Sequence, residues 1–178
     1  MIVELSDGTV VRRVLDGDVE LFRVLVERYR GQFGKYAVAL VGDSDTAADA
    51  MQEAFIRAYR SLTSCRDPDR FGAWFHRILT NQCHDARAKR STPGILDRLD
   101  LPGNDRTDAA AEQTELGDAI SAALARLTPE QKEAFVMKHV DGRSYDEMAE
   151  LTGVGVDALK MRVHRARDGL REMLGGVL

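Results

Sequence analysis

Cysteine is scarce in this chain, with two in 178 residues, Cys65 and Cys83. Free thiols in that number fit a reducing compartment. Two thiols make a redox sensor only if one has a lowered pKa or the pair lies close, and the sequence shows neither. Long apolar runs are missing as well. None approaches the roughly 18 residues that span a bilayer, so no membrane insertion is expected. The N-terminus, MIVELSDGTVVRR, lacks the charged-then-apolar order of a signal peptide, and the protein is read as cytoplasmic. There is no glycine-rich phosphate loop, no HExxH and no nucleophile elbow. Cys65, His76, Cys83 and His84 are the candidate metal ligands, but their spacing is not that of a standard zinc site. No catalytic residue, metal site or cofactor is therefore expected.

What the chain does contain is helical patterning. Hydrophobic residues make up 44% and charged residues 30%, a globular balance. Phe22, Leu25, Val26 and Tyr29 recur at helical spacing, as do Ala47, Ala50, Met51, Ala54, Phe55, Ala58 and Leu62. A third stripe holds Phe71, Trp74, Phe75, Ile78 and Leu79. These predict an all-α bundle over residues 8–90. The stretch STPGILDRLDLPGNDRTDAAAEQTE then carries two of the four prolines and many acids, with no period, and reads as an acidic linker over 91–113. Periodicity resumes at Leu116, Ile120, Ala123, Leu124 and Leu127, opening a second helical domain over 114–176.

The second domain is well punctuated. Thr128, Pro129 and Gln131 form a capping box with proline at the first helical position, and Ser144 with Glu147 repeats the box. Gly153 stands where a left-handed turn residue is needed. The following helix has an apolar stripe of Leu159, Val163, Ala166, Leu170 and Met173. Its other faces carry Lys160, Arg162, His164, Arg165, Arg167 and Arg171. Two capped helices, a tight turn and a basic second helix describe a helix-turn-helix. A basic face is often merely solvated. Here the whole chain has net charge −4, so the stripe is not a by-product of general basicity, and DNA is the expected partner.

The stretch SYDEMAELTGVGVDALKMRVHRARDGLREML resembles the fourth region of bacterial sigma factors of the extracytoplasmic-function group. The first domain resembles that family independently. DTAADAMQEAFIRAYRSL and FGAWFHRILTNQCHDARAKR look like its second region, and VVRRVLDGDVELFRVLVERYR fits its opening helix. The resemblance covers nearly the whole chain in the right order. It implies a protein that binds core RNA polymerase and directs it to promoters, with control by an anti-sigma factor. The rival reading is a stand-alone helix-turn-helix activator, which leaves the matches in the first domain unexplained.

Site residues follow from the resemblance. Asp49, Gln52 and Glu53 match the positions that dock on a coiled coil of the polymerase's largest subunit. Asn81 matches the asparagine that reads an unstacked base of the −10 element. The loop Ser64–Arg70, with Cys65 and Arg66, matches the edge of the base pocket. Arg77, Arg87, Lys89 and Arg90 suit the DNA backbone. Trp74 is read as core. In the fourth region, Lys160, Met161, Arg162, His164 and Arg165 occupy the groove-facing positions for the −35 element, and Arg143 is placed to reach a phosphate. Asp97, Asp100, Asp105 and Asp108 of the linker either imitate nascent RNA or keep a tether solvated.

Some positions depart from the family pattern. Ala48 stands where glutamate is frequent, weakening one polymerase contact. Cys65 replaces an aromatic at the pocket edge. Gly155, Ala158 and Met161 replace the frequent proline, threonine and serine. Gly155 loosens the start of the second helix, and Met161 offers an apolar contact to a thymine methyl. The short tail after the last helix argues against subgroups with an extra C-terminal domain.

Overall fold

The computed structural model describes residues 5–91, 119–120 and 122–175. The linker acids Asp97, Asp100, Asp105 and Asp108 lie outside the described residues. Among those residues there is no strand, as the patterning predicts. The helices are α1 Asp7–Leu15, α2 Phe22–Val41, α3 Ser44–Arg60, α4 Phe71–Ser91, α5 Pro129–His139, α6 Tyr145–Thr152 and α7 Val156–Met173. Three single 3-10 turns lie at Val19–Leu21, Leu62–Ser64 and Pro68–Arg70, and residues 122–125 form a further helical segment.

Helices α2, α3 and α4 pack side by side, and α1 closes one end over the Pro68–Arg70 turn. The expected stripes supply the core. Leu25, Phe33, Tyr36, Ala54, Phe71, Phe75 and Leu79 are completely buried. Phe75 stacks on Phe55 and on Phe71 with centroids 4.6 and 5.8 Å apart. Trp74 is half-buried against Phe71, which agrees with its assignment to the core. Asp7 accepts from both Arg28 and the Tyr29 hydroxyl, tying the start of α1 to α2. Gly72 makes that tie possible, because a Cβ there would lie 2.7 Å from the Tyr29 oxygen.

Both capping boxes form. The Thr128 hydroxyl accepts from the Gln131 amide at 3.3 Å, and the Gln131 side chain accepts from the Thr128 amide. Ser144 and Glu147 make the same exchange. Gly153 ends α6 at φ 73°, in the left-handed region. The α7 start at Gly155 has no side-chain cap, consistent with a loosened start. Leu159, Val163, Ala166 and Leu170 are buried as the stripe predicts.

The two helical sets do not stand apart. Ala134, Val136, Met137, Met148, Leu151, Leu159 and Val163 continue the core of the first bundle. Helix α5 packs on α2, and α6 packs on α4. A smaller cluster of Ala123, Leu127, Ala166 and Leu170 continues the same stripe along the C-terminal half of α7.

Candidate functional site

Helix α3 presents Asp49, Gln52 and Glu53 to solvent, because Ala50, Met51 and Ala54 take the inward phase. The three divide between two grooves. Gln52 lines an apolar groove of about 460 Å³ between α2 and α3, with Val38, Ala48 and Met51. Asp49 and Glu53 line a polar groove of about 620 Å³ between α3 and α4, with Arg57, Lys89 and Arg90. Glu53 accepts from the Arg57 Nε at 3.1 Å, an i,i+4 pair. Val38 remains 40% exposed beside Ala48, so a small residue in place of glutamate leaves this groove open.

Helix α4 carries Arg77 and Asn81 one turn apart on its exposed side, with Lys89 and Arg90 exposed in its last turns. Arg90 pairs with Asp43, the N-cap of α3. The Arg87 guanidinium donates to the carbonyl oxygen of Ala125 at 2.5 Å. In the loop Ser64–Arg70, Arg66 is exposed. Cys65 is turned inward, 5% exposed, with its Sγ donating to the Asp67 carbonyl at 3.5 Å. Burial raises the pKa of the Cys65 thiol and pushes that of Cys83 up to about 12. Both stay protonated and unreactive, so the structure gives a redox role no support.

Helix α7 exposes Lys160, Met161, His164 and Arg165, with Met161 at 49%. His164 lies 3.2 Å from Asp168, and Lys160 lies 3.8 Å from Asp157. Arg162 is different. It is half-buried and faces a cleft of about 510 Å³ between the two domains, opposite Asn81, Arg77 and His84. Arg143 is also turned inward. Its side chain is 13% exposed, paired with Asp141 at 2.7 Å, and its guanidinium lies over the Phe33 ring at 5.3 Å. In this conformation Arg143 is an interdomain residue.

Sequence reasoning missed Lys132 and Glu133 on α5. Lys132 is 3% exposed and donates to the Leu40 carbonyl at 2.5 Å. Burial, with Arg87 nearby, pulls its ammonium down to about 8. Burial raises the pKa of the Glu133 carboxyl, against the opposing charge of Arg162. The available signal was phase: Lys132 stands four residues before the buried Val136, on one helical face.

His76 is 1% exposed between Phe33 and Tyr36, and its Nε2 has no hydrogen-bond partner among the described residues. Burial lowers its pKa to about 4, assisted by Arg143 and Arg77. It is a neutral core histidine. Among the described residues, no cluster of His, Cys, Asp and Glu is placed to hold a metal ion. Nor among them is any helix long and apolar enough to cross a membrane.

Comparison with known proteins agrees with this layout. Residues 25–92 match Sigma-70 region 2, and residues 117–169 match Sigma-70, region 4. The chain is 29% identical to the ECF RNA polymerase sigma-E factor of Escherichia coli K12 over 179 aligned positions, covering 94% of this chain and 93% of that one. It is 28% identical to the ECF RNA polymerase sigma factor SigW of Bacillus subtilis 168, covering 92% and 94%. The solved structure of CnrH in complex with the cytosolic domain of CnrY is similar, with a TM-score of 0.68 at 25% identity over 97% of this chain and 99% of that one. The sigma factor RpoE bound to the anti-sigma factor NepR, from Bartonella quintana, shares the fold at a TM-score of 0.54 and 24% identity, covering 92% and 99%. With both regions matched in order on a helical chain that aligns end to end with such relatives, this protein belongs to the sigma-70 family, in its extracytoplasmic-function group.

Proposed function

We infer that this chain is the promoter-specificity subunit of a bacterial RNA polymerase. It joins the core enzyme in the cytoplasm, brings it to −10 and −35 elements and starts strand opening. RNA synthesis itself remains the polymerase's chemistry. One observation carries the reading. The chain holds both promoter-reading regions, and the second helix of its helix-turn-helix buries Leu159 and Val163 while exposing Lys160, Met161, His164 and Arg165.

In this reading Asp49, Gln52 and Glu53 dock on the largest subunit's coiled coil. The two grooves flanking α3 suit that role, since one is apolar and the other ionic. Asn81 holds an unstacked base through its amide, and Arg66, Arg77, Arg87, Lys89 and Arg90 neutralise the backbone around it. Cys65 shapes the pocket loop from inside. Lys160, Met161, Arg162, His164 and Arg165 read the −35 groove, and Arg143 joins them once the domains separate. An anti-sigma partner is proposed because the similar sigma factor RpoE of Bartonella quintana was solved in complex with the anti-sigma factor NepR.

The test is run-off transcription from a promoter library with purified core polymerase, with and without this protein. Promoter-specific transcripts that disappear with Asn81→Ala and weaken with Arg162→Ala are expected. Absence of transcripts, together with no co-elution with core in gel filtration, would overturn the assignment in favour of a stand-alone activator.

A further inference from the structure

Glu53 is held by an arrangement that reaches across to the neighbouring helix. Its side chain and that of Arg57, one turn on along α3, are both about half exposed. Alone, such a pair on a helix surface fixes neither side chain well, because the attraction barely offsets the rotamer freedom lost. This pair is not alone. Gln82 of α4 lies against it and is 6% exposed. With its amide oxygen turned toward α3, Gln82 accepts from the Arg57 Nη1 at 3.0 Å and lies 3.3 Å from Nε. The reverse orientation would set the amide NH2 against the guanidinium, donor against donor. Hydrogen bonding therefore fixes the oxygen on that side.

Burial makes this bond obligatory, since a buried amide oxygen left without a donor pays its full desolvation cost. The guanidinium is thus anchored at its Nη1 end, and its planar fork aims Nε in a set direction. Nε donates to the Glu53 Oε1 at 3.1 Å. One carboxylate oxygen is engaged in this way, and Oε2 has no hydrogen bond among the described residues. Asp49 lines the same groove between α3 and α4 but has no salt bridge among the described residues. Of the two groove carboxylates, only Glu53 is braced.

We propose that Gln82 and Arg57 are positioning residues for polymerase docking: Gln82 anchors the Arg57 guanidinium, and Arg57 holds the Glu53 carboxylate ready for a donor on the largest subunit's coiled coil. This rests on the docking role given to Glu53 above. The device acts by preorganisation. The rotamers of Glu53 are restricted before the partner arrives, so less freedom is lost on binding.

The experiment titrates the full chain, labelled at its amino terminus, with purified core polymerase and reads the dissociation constant. The variants are Glu53→Ala, Arg57→Ala, Gln82→Met and Gln82→Glu, with Gln82→Met also placed on Glu53→Ala and on Asp49→Ala. Methionine keeps the length of the side chain and removes the acceptor, whereas glutamate keeps the acceptor. Arg57→Ala, at an exposed position, carries the test if Gln82→Met fails to fold. Glu53→Ala is expected to weaken binding by about tenfold or more. Gln82→Met and Arg57→Ala should each weaken it about threefold, the factor for ordering one long side chain during binding rather than beforehand. Gln82→Glu should stay close to the wild type. On Glu53→Ala, Gln82→Met should cost nothing further, and on Asp49→Ala its loss should persist. Folded Gln82→Met and Arg57→Ala proteins with wild-type affinity would overturn the proposal. So would a Gln82→Met loss that persists in full on Glu53→Ala, which marks a general structural effect. Both outcomes leave the docking role of Glu53 standing. Wild-type affinity of Glu53→Ala would remove that role, and the positioning with it.

Discussion

The hydroxyls of Tyr36 and Thr80 lie 2.8 Å apart, buried between α2 and α4, and Thr80 immediately precedes Asn81. The Thr80→Val variant keeps the shape and removes one bond. It is expected to lose about 1 kcal/mol, read as a fall in Tm of roughly 2–4 °C. A double-mutant cycle with Tyr36→Phe should show that the two losses do not add.

His76 sets an acid limit on stability. It is neutral when folded, with a pKa near 4 against an ordinary 6.5. Above 6.5 the group is neutral folded or unfolded and contributes no pH dependence. As pH falls toward 4, the unfolded chain gains a proton that the folded chain refuses, so stability declines by up to about 3 kcal/mol. Urea unfolding at pH values on either side of this window should show the decline, and His76→Phe should flatten it.

The thiols should be silent in the native protein. Cys65 and Cys83 are buried and protonated, so a disulfide reagent is expected to react only at the rate of opening or unfolding. Fast stoichiometric labelling in native buffer would contradict the buried placement.

Gly153 is the hinge of the helix-turn-helix, at φ 73°. An alanine there adopts a left-handed conformation at a cost of about 1–2 kcal/mol, and its Cβ presses on Arg77. Gly153→Ala should lower Tm.

Met161 is half exposed among Lys160, His164 and Arg165 on α7. If it meets a thymine methyl, Met161→Ser should relax preference at one −35 position by about 1 kcal/mol, toward the lower end for a base contact. Promoter selection with each form would show the change at that position and not at the −10 element.

Much was decided by the sequence alone, because the signals involved are local. The apolar stripes of α2, α3, α4 and α7 follow from a 3.6-residue period. The caps at Thr128 and Ser144 and the stop at Gly153 follow from which side chains satisfy a helix end or tolerate positive φ. The outward positions of Asp49, Gln52, Glu53 and Asn81 follow from the same phase. The tertiary structure decided what lies opposite these faces. It turned Cys65 inward, drew Arg143 onto Phe33, set Arg162 across from Asn81 and buried Lys132 on the carbonyl of Leu40. Leu40 and Lys132 stand 92 residues apart. A backbone carbonyl leaves no mark in the amino-acid alphabet, so only the packing of α5 on α2 reveals the bond.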